Sequence, residues 1–385
     1  MKLVKFSLCS ALLAFAYGTA RCEEDGVLLF KDVPFPIEAR IAPGGEPGSR
    51  LFETPLSEPL SADYDTVLID GLMPDPDVQI QIRVKYGANF KVLTQSESKR
   101  FPNGRFWAKF QLGGPTREPL KIAVTSGGAA SASTLTIYSA EVFIRTAEKE
   151  ASGKPASADR KFTHFDPKPP STELSFIQVD RSDWGARQPM GNFVAHSPDM
   201  ITLHHTQGSF PSNYTNAVTE MQYMQSYHQA KGWTDIGYHY VISPQGDIFE
   251  GRPVGMMGAH VSGKNENNIG ISIMGSYNDM DGPMPTNDAI YSLIALTKYL
   301  QAEYKIGANR FYAHRDLDNT DCPGKLLYSR MGILKSLLFN PSSGKTKAMA
   351  FKPLTGGVAG AAEQLSGASE LYPALRDLLD SYEGR

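Results

Sequence analysis

Met200-Ile201-Thr202-Leu203-His204-His205-Thr206 alternates or runs apolar along its length, the pattern of a strand. Successive side chains on a strand point to opposite faces, so His204 and His205 cannot both enter one site. His205 shares its face with Ile201 and Leu203, which makes it a core residue. His204 shares a polar face with Thr202 and Thr206, suited to a cleft.

Outward from this strand, strands and helices alternate from residue 176 to 339. Ile236–Ser243 and Ile269–Met274 read as further strands. Val218, Met221, Met224 and Tyr227 recur at helical spacing before Gly232. A second stripe runs through Ile290, Leu293, Ile294, Thr297, Leu300 and Tyr304, with Thr286 or Asn287 as N-cap, and Leu326–Leu338 supplies a third helix. The region predicts an α/β domain, a central mixed β-sheet flanked by helices.

The flanks differ. Residues 27–147 carry short alternating runs at Val67–Ile69, Val78–Val84, Phe106–Leu112, Leu120–Val124 and Leu135–Ile144. Turn clusters such as Pro102-Asn103-Gly104 and Gly113-Gly114-Pro115 separate them, as in an all-β, sandwich-like domain of unassigned role. Residues 148–175 form a Pro/Ser/Ala linker, so the α/β region is expected to fold without the β domain. Residues 340–385 read as a flexible tail with a terminal amphipathic helix through Leu371, Leu375, Leu378, Leu379 and Tyr382. At the other end, Lys2 and Lys5, the apolar run Phe6–Tyr17 and Gly18-Thr19-Ala20 read as a signal peptide over residues 1–20. Export follows, to a periplasm or medium, with lipid anchoring through Cys22 the lesser alternative because Arg21 precedes it poorly.

The 385 residues carry 38 Lys+Arg and 41 Asp+Glu, a net charge of −3, which lacks the basic excess of a nucleic-acid binder. No transmembrane helix is expected in the mature chain, and the oligomeric state is not readable. Of the three cysteines, Cys9 leaves with the signal and Cys22 lies at the new N-terminus, so Cys322 has no disulfide partner inside a folded region. Its surroundings suggest another role. In Ala313-His314-Arg315-Asp316-Leu317-Asp318-Asn319-Thr320-Asp321-Cys322-Pro323-Gly324, a strand end runs into a turn-rich loop that can bring His314 and Cys322 together. With one more ligand from a distant strand, His204 by geometry, they make a Cys/His₂ set for Zn2+. Three protein ligands leave a fourth position for water, as catalytic zinc sites do.

These pieces resemble, in order, the zinc-dependent N-acetylmuramoyl-L-alanine amidases of the type 2 class, which include the peptidoglycan recognition proteins and phage amidases. The matching blocks are Arg181 to Arg187 around Trp184, Leu203 to Thr206, Gly232 to Tyr240, Phe249 to Arg252, Gly258 to His260, Asn268 to Ile271, and His314 through Cys322 to Gly324. The resemblance places zinc ligands at His204, His314 and Cys322 and the family's essential tyrosine at Tyr238. Thr320 stands where phage members carry lysine and recognition-protein amidases often carry threonine. Recognition proteins that only bind typically lack the ligand cysteine, which this chain keeps. Ser272 replaces the glutamate of a cytoplasmic branch. Pro253-Val254 stands where animal members read the stem peptide, so stem preference is unreadable, and the missing animal disulfide suggests an enzyme of bacterial type.

The resemblance implies zinc-assisted hydrolysis of the amide between N-acetylmuramic acid and L-alanine in peptidoglycan, with muramyl peptides as partners. Tyr238 and Thr320 are the expected catalytic donors to the oxyanion, and Thr206, Arg252 and His260 the expected substrate contacts. No general base is identified. Two alternatives stand beside it: a non-catalytic zinc-containing peptidoglycan-recognition module, and a zinc hydrolase of another N-acyl amide.

Overall fold

The computed structural model describes residue 26 and residues 28–144, 173–278, 282–339 and 350–354. The expected signal peptide, Cys22, most of the linker and the terminal amphipathic helix lie outside these residues. The first part is all β: β1 (Ile37–Ile41), β2 (Arg50–Glu53), β3 (Tyr64–Leu72), β4 (Val78–Tyr86), β5 (Asn89–Leu93), β6 (Glu97–Arg100), β7 (Arg105–Thr116), β8 (Leu120–Ser126) and β9 (Ser133–Phe143). They make two antiparallel sheets, β1-β9-β3-β7-β6 and β2-β8-β4-β5. Strand β4 shows the cause: Val78, Ile80, Ile82 and Val84 are buried in one apolar cluster with Ile69, Phe110 and Ile137 of the other sheet, while the alternate residues are exposed or half-buried. The four strands with no signal in the sequence, β1, β2, β5 and β6, are the four sheet edges. An edge such as Glu97-Ser98-Lys99-Arg100 carries charge rather than an apolar alternation. Gly113-Gly114-Pro115, read as a break, lies inside β7 where pairing jumps from Thr66↔Gln111 to Tyr64↔Thr116, a bulge that absorbs residues a regular ladder rejects.

The second part is built on one mixed sheet in the order β15-β11-β14-β12-β13-β10-β16. Its strands are β10 (Glu173–Val179), β11 (Met200–His205), β12 (Tyr240–Ile242), β13 (Ile248–Glu250), β14 (Asn268–Ile273), β15 (Phe311–Ala313) and β16 (Ala350–Leu354). Helices α1 (Tyr214–Ala230), α2 (Asn287–Tyr304), α3 (His314–Leu317), α4 (Lys325–Tyr328) and α5 (Met331–Phe339) complete it. The Asn213 side chain caps α1 and Thr286 caps α2, each accepting from the amide three residues on. One face of the sheet packs with α2 and α5 through Ile269, Ile271, Leu293 and Leu334.

Three expectations change. Strand structure in Ile236–Ser243 is confined to β12, because Gly237 is held off the ladder: its amide donates to His228 Nδ1 at 3.2 Å and its carbonyl accepts from Ala259 at 3.0 Å. The single helix over Leu326–Leu338 is two, α4 and α5, with Ser329 Oγ donating back to the Leu326 carbonyl at 2.8 Å at the break. Strand β10 begins inside the stretch read as linker, and β16 lies inside the stretch read as tail, the two pairing in parallel from Glu173↔Ala350 to Ile177↔Leu354. Among the described residues no helix is long and apolar enough to cross a membrane.

The two parts share a core. Leu68, Phe101 and Trp107 of the N-terminal strands cluster with Trp184, Ala217, Met221, Tyr223 and Met224. Trp107 Nε1 donates to Ser226 Oγ at 3.1 Å, Lys109 Nζ to the Ala230 carbonyl at 3.2 Å, and Tyr227 OH to Glu141 Oε1 at 2.6 Å. At the centre, the buried Arg105 guanidinium lies 3.3 Å from both Asp70 Oδ2 and Glu220 Oε1 and 3.9 Å over the Tyr223 ring. An α/β region folding apart from the β domain would leave this face open, which the linker composition did not reveal. Breaking a buried ion network by removing one member costs roughly 3–5 kcal/mol, so Arg105→Ala is expected to lose that much stability. Urea unfolding of parent and variant checks this, and equal midpoints would mean that the network is hydrated and weak.

Candidate metal centre

The sheet register assembles the site. Strands β11 and β15 run parallel with Leu203 opposite Ala313, so the next residues, His204 and His314, stand side by side with ring centroids 4.5 Å apart. After α3 the chain folds back: Asp318 N donates to the His314 carbonyl at 3.0 Å, Cys322 N to Thr320 Oγ1 at 3.1 Å, and Arg315 N to the Cys322 carbonyl at 2.9 Å. This brings Cys322 Sγ to 3.6 Å from His204 Nδ1 and 3.4 Å from the His205 amide. One ligand atom each from His204, His314 and Cys322 lies within 4.8 Å of the others.

The electrostatics keep both imidazoles neutral, the form that binds metal. Burial, then the neighbouring His314 and His260, holds His204 well below the usual histidine range. Burial also lowers His314 to about 4, against the opposing pull of Asp318. His314 Nε2 is buried with no hydrogen-bond partner.

Behind His204 runs a relay that sets its tautomer. The Asn268 carbonyl can only accept, so His260 Nε2, 3.0 Å away, donates to it. His260 Nδ1 then accepts from His204 Nε2 at 3.0 Å, and the free lone pair of His204 sits on Nδ1, the atom facing Cys322. His260 is wedged between two backbones: a Cβ at Gly258 or Gly270 would stand 2.6 Å from its ring, which accounts for both glycines in their blocks. A neutral His₂ pair, one thiol and a fixed tautomer fit the donor set of zinc. Loss of such a supporting bond typically costs about 10–100-fold in metal affinity, so His260→Ala is expected to weaken zinc by that factor. Competition with a chromophoric chelator measures it, and an unchanged affinity would reduce His260 to packing.

The remaining predicted residues divide. The half-buried Tyr238 ring lies 5.3 Å from that of His204, and burial, then the charge of Cys322, pushes its phenol above the usual tyrosine range, so it stays a proton donor. Thr320 accepts the Cys322 amide, which leaves its hydroxyl proton to donate elsewhere. Thr206, half-buried at the end of β11, accepts from the Gly275 amide at 3.0 Å. Two substrate contacts expected from the sequence are corrected. Arg252 is buried and its guanidinium donates to the carbonyls of Ile236, Met257 and Asp235, so it cross-links its own domain. His260 is buried behind His204 rather than facing the cleft. His205 is core as read, its Nδ1 accepting from the Tyr277 amide at 3.3 Å. His239 is structural too, held by the Gly270 amide and the Met256 carbonyl. Of the two residues that hold His260, Asn268 lay in a matching block without an assigned role, and Asn265 carried no sequence signal.

Fold and site together define a mixed-sheet α/β domain with a His/His/Cys cluster at the edge of its parallel strands. Residues 194–325 match the family model described as N-acetylmuramoyl-L-alanine amidase. Peptidoglycan-recognition protein SC2 of Drosophila melanogaster is 30% identical over 169 residues, covering 41% of this chain and 86% of that protein. The N-acetylmuramoyl-L-alanine amidase of Homo sapiens is 32% identical over 160 residues, covering 38% of this chain and 26% of that protein. A solved structure of Drosophila PGRP-LB aligns at 28% identity and a TM-score of 0.38, covering 41% of this chain and 94% of that one. The chain belongs to the family of type 2 N-acetylmuramoyl-L-alanine amidases and peptidoglycan-recognition proteins.

Proposed function

We propose that the protein is an exported zinc-dependent amidase that hydrolyses the bond between N-acetylmuramic acid and L-alanine in peptidoglycan. The observation that carries the reading is the convergence of His204, His314 and Cys322 within 4.8 Å, with a protonated tyrosine beside them. His204 through Nδ1, His314 and Cys322 through Sγ would hold the ion. Zinc in such a set supplies Lewis acidity at a carbonyl and lowers the pKa of a coordinated water to about 7.

The chain's own groups do the rest. Tyr238, half-buried beside His204, donates its phenolic proton as a hydrogen bond to the carbonyl oxygen as that atom gains charge. Thr320 keeps its oxygen on the Cys322 amide and turns its proton toward the same oxygen or toward the leaving amine. Thr206 orients the substrate at the cleft edge. The His260 relay holds His204 in the tautomer that needs no rearrangement on metal binding. The two-sheet N-terminal region is a sandwich-like domain fixed to the amidase domain rather than a tethered one.

The names of the relatives favour a second reading, a recognition module that binds peptidoglycan without cleaving it. Dye release from labelled sacculi separates the two. Release that stops with chelator and returns with zinc supports catalysis, whereas retention of protein on the sacculi with no release at any zinc level supports recognition.

A further inference from the structure

The segment that leaves β11 at Thr206, two residues beyond His204, enters α1 at Asn213, and one anchor of it is a residue of α1 that pairs with the N-terminal strands. Ser209 Oγ donates to Glu220 Oε2 at 2.7 Å. At Gly208 the backbone passes so near Glu220 and Arg105 that a Cβ would stand 3.0 Å from Glu220 Oε1 and 3.3 Å from Arg105 Nη2. Beyond it, Phe210 packs edge-on to Tyr277, whose amide is bound to His205, and Gln245 Nε2 holds the Pro211 carbonyl at 3.0 Å.

Glu220 is fully buried on α1, and its ion-pair partner is Arg105 on β7 of the N-terminal sheet. Arg105 is fixed in turn by Asp70 and by the Tyr223 and Tyr138 rings, and Tyr223 OH donates to Asp70 Oδ2 at 2.7 Å. A buried carboxylate stripped of its cation turns toward water or takes a proton, and in either case it stops being a fixed acceptor. Among the described residues the partners of the Glu220 carboxylate other than Ser209, Arg105 and Asn103 Nδ2 at 3.5 Å, both come from the N-terminal strands and their turns.

We propose that Arg105 is a positioning residue for the cleft: it fixes Glu220, Glu220 fixes Ser209, and the Thr206–Pro211 segment keeps the shape that receives a muramyl peptide. The ligand named here rests on the amidase reading; the positioning itself does not. By this account the N-terminal domain is a working part of the substrate site without touching substrate.

The test uses the full chain with three substitutions. Ser209→Ala removes one hydrogen bond at the segment and leaves the domain interface intact. Arg105→Lys keeps the charge but loses the guanidinium fork. Lys109→Met weakens the interface away from the segment and serves as the control. Ser209→Ala is expected to speed amide hydrogen exchange across residues 206–211 by about tenfold, the effect of losing one buried hydrogen bond. KM for a soluble muramyl tripeptide rises several-fold, while kcat and the melting temperature hold. Arg105→Lys gives the same exchange and KM changes with a lower melting temperature, and Lys109→Met lowers the melting temperature alone. Parental exchange and KM in both Ser209→Ala and Arg105→Lys would overturn the proposal and leave the network as structural glue. If the parent itself leaves the tripeptide uncut, the amidase reading fails, and exchange with the tripeptide dissociation constant in place of KM still decides the positioning.

Discussion

Cys322→Ser is expected to lose its zinc and its hydrolytic activity together while keeping its fold. The thiolate is the one soft, anionic donor in the set, and a serine hydroxyl is a poor substitute that stays protonated at neutral pH. The side chain is close in size, and the loop is held by bonds that do not use sulfur: Thr320 Oγ1 accepts the Cys322 amide and the Cys322 carbonyl accepts Arg315 N. The fold should therefore persist, with the contacts of sulfur to the His205 backbone and to His204 Nδ1 altered. Zinc content by atomic absorption, a thermal melt of the zinc-free proteins and turnover of labelled sacculi give the three readouts. Full zinc stoichiometry and parental turnover in the variant would remove Cys322 from the site.

Tyr238→Phe is expected to leave zinc content and fold unchanged and to reduce kcat. Loss of one oxyanion donor typically costs about 10²–10³ in rate, or ~3–4 kcal/mol of transition-state stabilisation, with little change in KM. The phenol lies beside His204 and is kept protonated by burial and by the charge of Cys322. A tyrosine that served only to pack would behave in the opposite way, with stability shifting and turnover per folded molecule constant. Steady-state kinetics on a muramyl peptide together with a melt distinguish them. Parental turnover with zinc bound would strip Tyr238 of a catalytic part.

How much of this was legible in the sequence depended on whether a residue's role was local. The choice between His204 and His205 follows from strand alternation alone, and the structure places them as that rule requires, one at the cluster and one in the core. The loop from His314 to Cys322 announced itself by its turn residues. Arg252 and His260 were expected at the substrate from the resemblance, and the structure buries both. Their burial depends on carbonyls and glycine backbones contributed from elsewhere in the chain, Met257 and Asp235 for one, Gly270 and Asn268 for the other. The four edge strands were silent because edges do not bury an alternating face. The domain interface was silent for a further reason. Arg105, Asp70 and Glu220 are ordinary charged residues far apart in the sequence, and only the fold makes them a buried network.

The central claim is that this chain cuts one bond, the lactyl amide of muramic acid, and does so with zinc. The most direct measurement is mass spectrometry of the products from a defined disaccharide tripeptide digested in ¹⁸O-labelled water, with zinc and with chelator. The account predicts two products in the zinc reaction only: a disaccharide whose lactyl carboxylate carries one ¹⁸O, and a free peptide beginning at L-alanine. An intact substrate under conditions where the protein binds it, label in a peptide carboxylate, or equal cleavage in chelator would contradict it.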